Sequence, residues 1–197
     1  MSEKWQRYYA AAGDAPRETL LQALAAFEAD GQPPGLAVDL GCGAGRDTLE
    51  LLRRGWRVVA IDAEQAAVDL LLDHPDAASR RESLQTVVAP FIDADWPEAE
   101  LVNASFSLPF CAPAEFERTW ERLVASLRHG GRFSGQLFGD RDGWAPNDDL
   151  TFHSRGEVEQ LLAGLSAERL EELEQDGQTA VGDAKHWHLF HVVARKP

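Results

Sequence analysis

Val38-Asp39-Leu40-Gly41-Cys42-Gly43-Ala44-Gly45-Arg46-Asp47 is the stretch whose reading decides the fold. Turn residues precede it (Gly31, Pro33, Pro34, Gly35), followed by a short apolar run, Leu36-Ala37-Val38. A helical pattern carrying Leu49, Leu51 and Leu52 comes after it. The order is therefore strand, glycine turn, helix N-terminus. Glycine at 41, 43 and 45 removes three Cβ atoms, so backbone can approach a bound group and take positive φ. The helix beyond the turn presents N–H groups with no intrahelical partner.

Two ligand classes use such a turn. A dinucleotide site sets a pyrophosphate on the helix N-terminus and asks for G-x-G-x-x-G. Here Arg46 stands where the third glycine would be, and Asp39 is an anion two residues before the turn. That charge repels a pyrophosphate and suits a ligand with a positive amino group, such as the aminoacyl end of S-adenosylmethionine. A second acid, Asp62, closes the apolar run Val58-Val59-Ala60-Ile61, where a carboxylate can accept ribose hydroxyls. The plain alternative is a βα turn with one structural and one surface Asp. The order acid, turn, helix, strand, acid favours the ligand site.

On these residues the chain resembles the class I S-adenosylmethionine-dependent methyltransferases, and Val38 to Gly45 looks like their first motif. The resemblance runs from about Trp5 to Lys196. Within that superfamily the chain is similar to the small bacterial tellurite-resistance methyltransferases. Gly45-Arg46-Asp47, the short second strand and the Ala194-Arg195-Lys196 ending carry that likeness. It implies a doubly wound, seven-stranded Rossmann-like α/β sheet, mostly parallel, with a C-terminal antiparallel hairpin. It implies S-adenosylmethionine as cofactor and S-adenosylhomocysteine as product. The cofactor-binding set expected is Asp39, Gly41, Cys42, Gly43, Gly45 and Arg46 at the turn, and Asp62 and Ala63 at the ribose. Phe91 and Asp93 are expected at the adenine, with Asp95 as the alternative register. The family's N-terminal segment commonly covers the cofactor, so residues 1–15, with Trp5, Tyr8 and Tyr9, read as a frayed tail or a flap.

At 197 residues the chain is most simply one domain, residues 1–197. Apolar residues at 44% and six Trp exclude general disorder. A net charge of −14 disfavours nucleic acid as a substrate. Two cysteines, Cys42 and Cys111, are too few for a disulfide framework or a zinc site, which points to the cytoplasm. The N-terminus shows no apolar signal core and no run reaches membrane-spanning length, so no membrane partner is expected. A monomer or a homodimer acting on a small molecule is the expectation, with no metal.

Along the chain, a helix is expected over Arg17 to Ala29, with Pro16 at its first turn. Ala63 to Asp73 reads as a helix with Ala67, Leu70 and Leu71 inward, stopped by His74-Pro75. Leu84 to Ala89 and Glu100 to Ser105 read as the third and fourth strands. Ligands of open α/β sheets sit outside the C-terminal strand ends at the order switch, so Asn103, Ala104 and Phe106 should line the cofactor–acceptor boundary. Phe116, Trp120, Leu123, Val124 and Leu127 form one apolar stripe on a helix over Pro113 to Arg128. Cys111 reads as a packing residue. His129-Gly130-Gly131 should close that helix before a fifth strand, Arg132 to Phe138.

Gly139 to Pro146 follows that strand and should hang over the site. Its Arg141 can grip an anionic acceptor and its Trp144 can wall the pocket; a solvated turn with an Arg–Asp pair is the equal alternative. Ser154 and Glu157 form a capping box for a helix to about Ala163. Leu165 to Leu173 reads as a strand or a helix–strand mix with a solvated Glu-rich edge, and Asp176-Gly177 as a turn. In His186 to Ala194, alternation sets His186 and His188 on one face and Trp187 and His191 on the other. Two histidines make no complete metal site. His186, at the strand start, is the third acceptor-site candidate.

Methyl transfer from S-adenosylmethionine to a small molecule, tellurite- or selenite-like or otherwise polar, is the function these readings favour. A non-catalytic S-adenosylmethionine-binding protein and an NAD-dependent oxidoreductase are the competing readings.

Overall fold

The computed structural model describes residues 13–197. The aromatics Trp5, Tyr8 and Tyr9 lie outside the described residues. Helix α1 (Glu18–Ala29) leads into β1 (Leu36–Leu40), α2 (Arg46–Arg53), β2 (Arg57–Asp62), α3 (Gln65–Asp73), the short α4 (Pro75–Ser79) and β3 (Leu84–Val88). Then come β4 (Ala99–Ala104), α5 (Pro113–Ser126), β5 (Leu127–Gly139), the two-residue β6 (Phe152–His153), α6 (Arg155–Leu161), β7 (Ser166–Gln178) and β8 (Ala184–Arg195).

The strands form one sheet in the order β3-β2-β1-β4-β5-β8-β7, with β6 adding to the end of β5. β8 runs antiparallel to both β5 and β7, and every other pair is parallel. This is the expected doubly wound sheet with its antiparallel hairpin. The order reverses between β1 and β4, where Asp39 stands opposite Asn103. Parallel strands covered on both faces carry continuous apolar runs, as Val58 to Ile61 does.

Val38, Leu40, Val59, Ile61, Val102, Phe133 and Leu137 face α5, meeting Phe116, Trp120 and Leu123. Ala37, Val58, Ala60 and Leu101 face the other way, onto Leu20, Leu24 and Phe27 of α1, Leu51 and Leu52 of α2, and Leu71 of α3. Each of these large side chains contributes about 1.5–3 kcal/mol by leaving water.

Several local expectations are corrected. Leu70 points to solvent, at 46% exposure, and Val68 is the buried residue of α3 beside Ala67 and Leu71. His74-Pro75 does end α3 as expected, and the His74 ring also caps the following helix, its Nδ1 accepting from Asp76 N at 3.2 Å. His129-Gly130-Gly131 lies inside β5, where four residues are looped out of register between Leu127 and Arg132. Asp176-Gly177 is paired within β7 against His186 and Lys185, and the reversal falls at 179–183. Pro16 lies just before the N-cap Arg17 rather than within the first turn. The capping box is present, Ser154 N donating to Glu157 Oε2 at 2.7 Å. Among the described residues no helix is long and apolar enough to cross a membrane.

Candidate functional site

The glycine turn leaves β1 and folds against β2, Gly41 N and Cys42 N both donating to Ile61 O at 2.7 and 3.0 Å. Gly41 has φ +73° and Gly45 φ +95°, in the left-handed region. A Cβ on Gly41 would sit 2.3 Å from Ser107 Cβ, and one on Gly45 2.4 Å from Leu71 Cδ1. Both positions thus require glycine for conformation and for space. Ser107 belongs to the segment after β4 and donates to Leu40 O at 2.5 Å, so the two loops at the order switch are pinned together. Arg46 is the first residue of α2, half-buried, and Cys42 is buried beneath the turn. Burial pushes the Cys42 thiol well up, an inert state.

Three carboxylates gather below and beside this turn. Asp39 is buried, accepting from Thr48 Oγ1 at 2.6 Å and Asn103 Nδ2 at 2.9 Å. Asp47 is buried as well, accepting from Arg17 N at 2.9 Å and from the same Asn103 nitrogen at 3.0 Å. Asp62 accepts from Gly43 N at 2.8 Å and Glu64 N at 2.9 Å. Burial, with the neighbouring Asp47 charge, raises the Asp39 pKa to about 7. Burial also raises Asp62, against the backbone bonds that favour its charge. Among the described residues no Lys or Arg side chain forms a salt bridge with any of the three. A cluster of buried acids without a matching cation favours a positively charged ligand.

Ala63 follows Asp62 on the exposed rim. Phe91 is half-buried and its ring edge comes within 3.4 Å of a Cβ built on Gly41, beside the turn. Asp93 is exposed, whereas Asp95 is paired with Arg122 of α5. Of the two registers, Asp93 is the acid left open. Asn103 and Ala104 are fully buried. Asn103 holds the two acids from below, its Oδ1 accepting from Ser134 Oγ at 2.7 Å, and Ala104 packs into the core facing α5. Both therefore support the site rather than line it. Phe106 does reach the rim: it is half-buried, with φ +54°, its N donating to Gln136 Oε1 at 3.0 Å.

Sequence reasoning grouped Arg141, Trp144 and His186, and the structure separates them. Arg141 forks onto Glu174 at 2.8–3.1 Å and reaches Glu172 at 2.9 Å, both on β7. Its bonds hold Glu174 down to about 2, with His186 adding to the effect. The His186 backbone does meet the loop, accepting from Gly143 N at 2.8 Å. Its ring turns to Asp176 at 2.7 Å and Glu174 at 3.3 Å, which raise its pKa. These side chains share the face that carries His188, buried between Arg141 and Glu172. Trp144 lies on the opposite side, 5.9 Å from Trp187 and 5.9 Å from Phe138 between ring centroids.

What the sequence reading missed is the ion pair under those rings. Lys185 Nζ binds Asp142 with both side chains out of solvent. It lies 3.8 Å from the Trp144 centroid, 4.1 Å from Trp187 and 4.9 Å from Phe138. Asp142 also accepts from Trp144 N at 2.9 Å and His188 N at 3.2 Å, fixing the loop after β5 to β8. Burial pushes the Lys185 pKa down. Strand alternation in Lys185-His186-Trp187 could have shown that Lys185 shares the Trp187 face. Asp47 was the other omission, though it stood inside the quoted motif.

Residues 37–131 match the family described as a methyltransferase domain. The match opens in β1 and spans the turn, the acids and β4. The chain resembles the class I S-adenosylmethionine-dependent methyltransferases. Carboxy-S-adenosyl-L-methionine synthase of Yersinia pestis is 32% identical over 104 residues, 51% of this chain and 39% of that protein. The chain thus spans well under half the length of that relative. Among solved structures, TehB from Haemophilus influenzae superposes with TM-score 0.73 at 16% identity, covering 89% of this chain and 62% of that one. A Burkholderia thailandensis 1,6-didemethyltoxoflavin-N1-methyltransferase, solved with its acceptor and S-adenosylhomocysteine, gives TM-score 0.66 at 25% identity over 91% and 78% of the two chains. Magnesium protoporphyrin IX methyltransferase from Synechocystis, solved with S-adenosylmethionine, gives 0.72 at 16% identity over 100% and 92%. At 16% identity the likeness speaks to the methyltransferase fold.

Proposed function

We propose that this protein is an enzyme that transfers a methyl group from S-adenosylmethionine to a small-molecule acceptor. The observation that carries this reading is the glycine turn over three buried carboxylates that, among the described residues, pair with no Lys or Arg side chain. The donor set fits the cofactor. Asp39 and Asp47 would favour its ammonium end at the turn, and Asp62 would accept its ribose hydroxyls. Phe91 and Asp93 would hold the adenine. A bound S-adenosylmethionine supplies an electrophilic methyl on a sulfonium. The chain's own task is alignment and exclusion of water, since positioning supplies much of the rate of an in-line displacement. Phe106, at the order switch beside Ser107 and the turn, would separate cofactor from acceptor.

An oxyanion acceptor of the tellurite kind finds support in the likeness to TehB, a tellurite-resistance methyltransferase. It asks for an open cation, and Arg141 is held by Glu172 and Glu174. Calorimetry tests the cofactor assignment. S-adenosylhomocysteine should bind in the micromolar range, about −8 kcal/mol, with NAD far weaker. Asp62→Ala should weaken binding about tenfold or more, through lost charge-assisted bonds. Tighter binding of NAD than of S-adenosylhomocysteine would overturn the reading.

A further inference from the structure

Four partly exposed rings meet where β4, β5 and β8 open toward the glycine turn: Phe106, Phe110, Trp144 and Trp187. They come from three separate parts of the chain. Phe106 and Trp187 meet edge to face at 6.3 Å and 80°, Trp144 and Trp187 at 5.9 Å and 56°, Phe110 and Trp144 at 6.4 Å and 63°. Rings set at steep angles form a corner, in which a flat guest stacks on one wall and abuts another edge-on.

The corner is built at some cost. Phe106 is the one non-glycine residue with positive φ among those described. Gln136 holds it there, accepting from Phe106 N at 3.0 Å while donating to Thr19 Oγ1 of α1 at 2.8 Å. Backbone strain of this sort is kept where the surroundings over-determine it, commonly at ligand sites. The rings are also electronically biased. The Lys185 ammonium lies over Trp144 and Trp187, and the Arg17 guanidinium lies 4.5 Å from the Phe106 centroid. A cation against a π-face draws electron density toward itself, so the rest of the ring system welcomes an electron-rich partner. Of the cations at this corner, Lys185 is matched by the buried Asp142 and Arg17 lies against the Phe106 ring, while Arg141 is engaged by the carboxylates of β7 on the other face. Neither Lys185 nor Arg141 is thus open to a small oxyanion.

We infer that the acceptor is a flat, electron-rich aromatic molecule bearing its nucleophile on the ring, as a hydroxyarene does, seated against Phe106, Trp144 and Trp187. This rests on the methyl-transfer reading for its role, but the aromatic corner stands or falls by its own binding. Phe106 and Trp187 are then specificity-determining residues.

The experiment is calorimetry with 2-naphthol, its saturated counterpart decahydro-2-naphthol, and selenite, each with and without saturating S-adenosylhomocysteine. The full chain is used, as wild type, Trp187→Leu and Phe106→Leu. Near-ultraviolet circular dichroism reports folding. We expect 2-naphthol to bind the wild type about fivefold to tenfold more tightly than the saturated alcohol, the size of an aromatic pair contribution. Each Leu variant should lose that preference, and Trp187→Leu, away from the cofactor, should also keep its S-adenosylhomocysteine affinity. If S-adenosylhomocysteine binds and 2-naphthol does not, or the saturated alcohol binds equally, the aromatic acceptor is refuted and methyl transfer stands. If 2-naphthol binds with the stated preference but S-adenosylhomocysteine does not, the aromatic site stands and the cofactor reading falls. Selenite displacing 2-naphthol from the loaded protein would overturn the inference in favour of an oxyanion, and failure of both ligands to bind would overturn both readings.

Discussion

Asp39 and Asp47 share a single donor: Asn103 Nδ2 lies 2.9 Å from one carboxylate and 3.0 Å from the other. A neutral amide on β4 thus holds two like charges together beneath the turn, across the junction where the strand order reverses. Removing it leaves both oxygens buried with one partner fewer. Asn103→Leu should therefore cost about 1.5–3 kcal/mol, the range for hydrogen bonds to charged groups. Urea unfolding measures this. A variant as stable as the wild type would mean the two acids do not depend on that bridge.

The raised pKa of Asp39, about 7, gives a pH dependence with a definite sign. Between the ordinary carboxylate value and that point, the native state holds a proton that the unfolded chain has lost. Asp39 therefore lowers stability progressively as pH rises through this window. A cationic ligand reverses the preference by stabilising the charged form. Binding of S-adenosylhomocysteine should strengthen from about pH 6 to about pH 8 and release a proton near neutrality, as linkage requires. Calorimetry in two buffers of different ionisation enthalpy reads the proton directly. Proton uptake, or affinity that weakens over this range, would detach Asp39 from the ligand.

Lys185 and Asp142 form a pair with both side chains out of water. Breaking one side strands a buried charge, so Lys185→Met and Asp142→Asn should each cost about 3–5 kcal/mol. The double variant should recover a substantial part of the summed loss. A double-mutant cycle on chemical unfolding gives the coupling. Strict additivity would show that the two charges do not sense one another.

Arg141 makes the opposite case. It is half-exposed and its partners Glu172 and Glu174 sit on the edge strand β7. Exposed pairs of this kind are weak and screened by salt. Arg141→Ala should leave S-adenosylhomocysteine affinity within about twofold, because the guanidinium is on the face turned away from the aromatic corner. A larger loss of cofactor affinity would place Arg141 at the cofactor after all.

The sheet was legible because its signals are local and strong. Val58 to Ile61 is a continuous apolar run, the turn carries three glycines, and β8 alternates cleanly through His186, Trp187 and His188. The hairpin turn was misplaced because Asp176-Gly177 has turn composition, yet cross-strand pairing to His186 and Lys185 overrides it. Asp39 and Asp62 were visible as acids at strand ends. The coupling of Asp39 to Asp47 through Asn103 was not, because it links residues 64 and 56 positions apart. Arg141 and Lys185 show the same limit. Which cation meets which carboxylate depends on the face each presents, and only the pairing of β5, β8 and β7 sets that.

The central claim is that the glycine turn and its buried acids hold S-adenosylmethionine. A crystal structure of the protein grown with S-adenosylhomocysteine tests it most directly. The ribose is expected within hydrogen-bond distance of Asp62, and the ammonium end at the Gly41–Gly45 turn over Asp39 and Asp47. The sulfur is expected to turn toward Phe106 and the aromatic corner. A ligand bound elsewhere on the sheet, or one that sets its carboxylate rather than its ammonium over the acids, would contradict it.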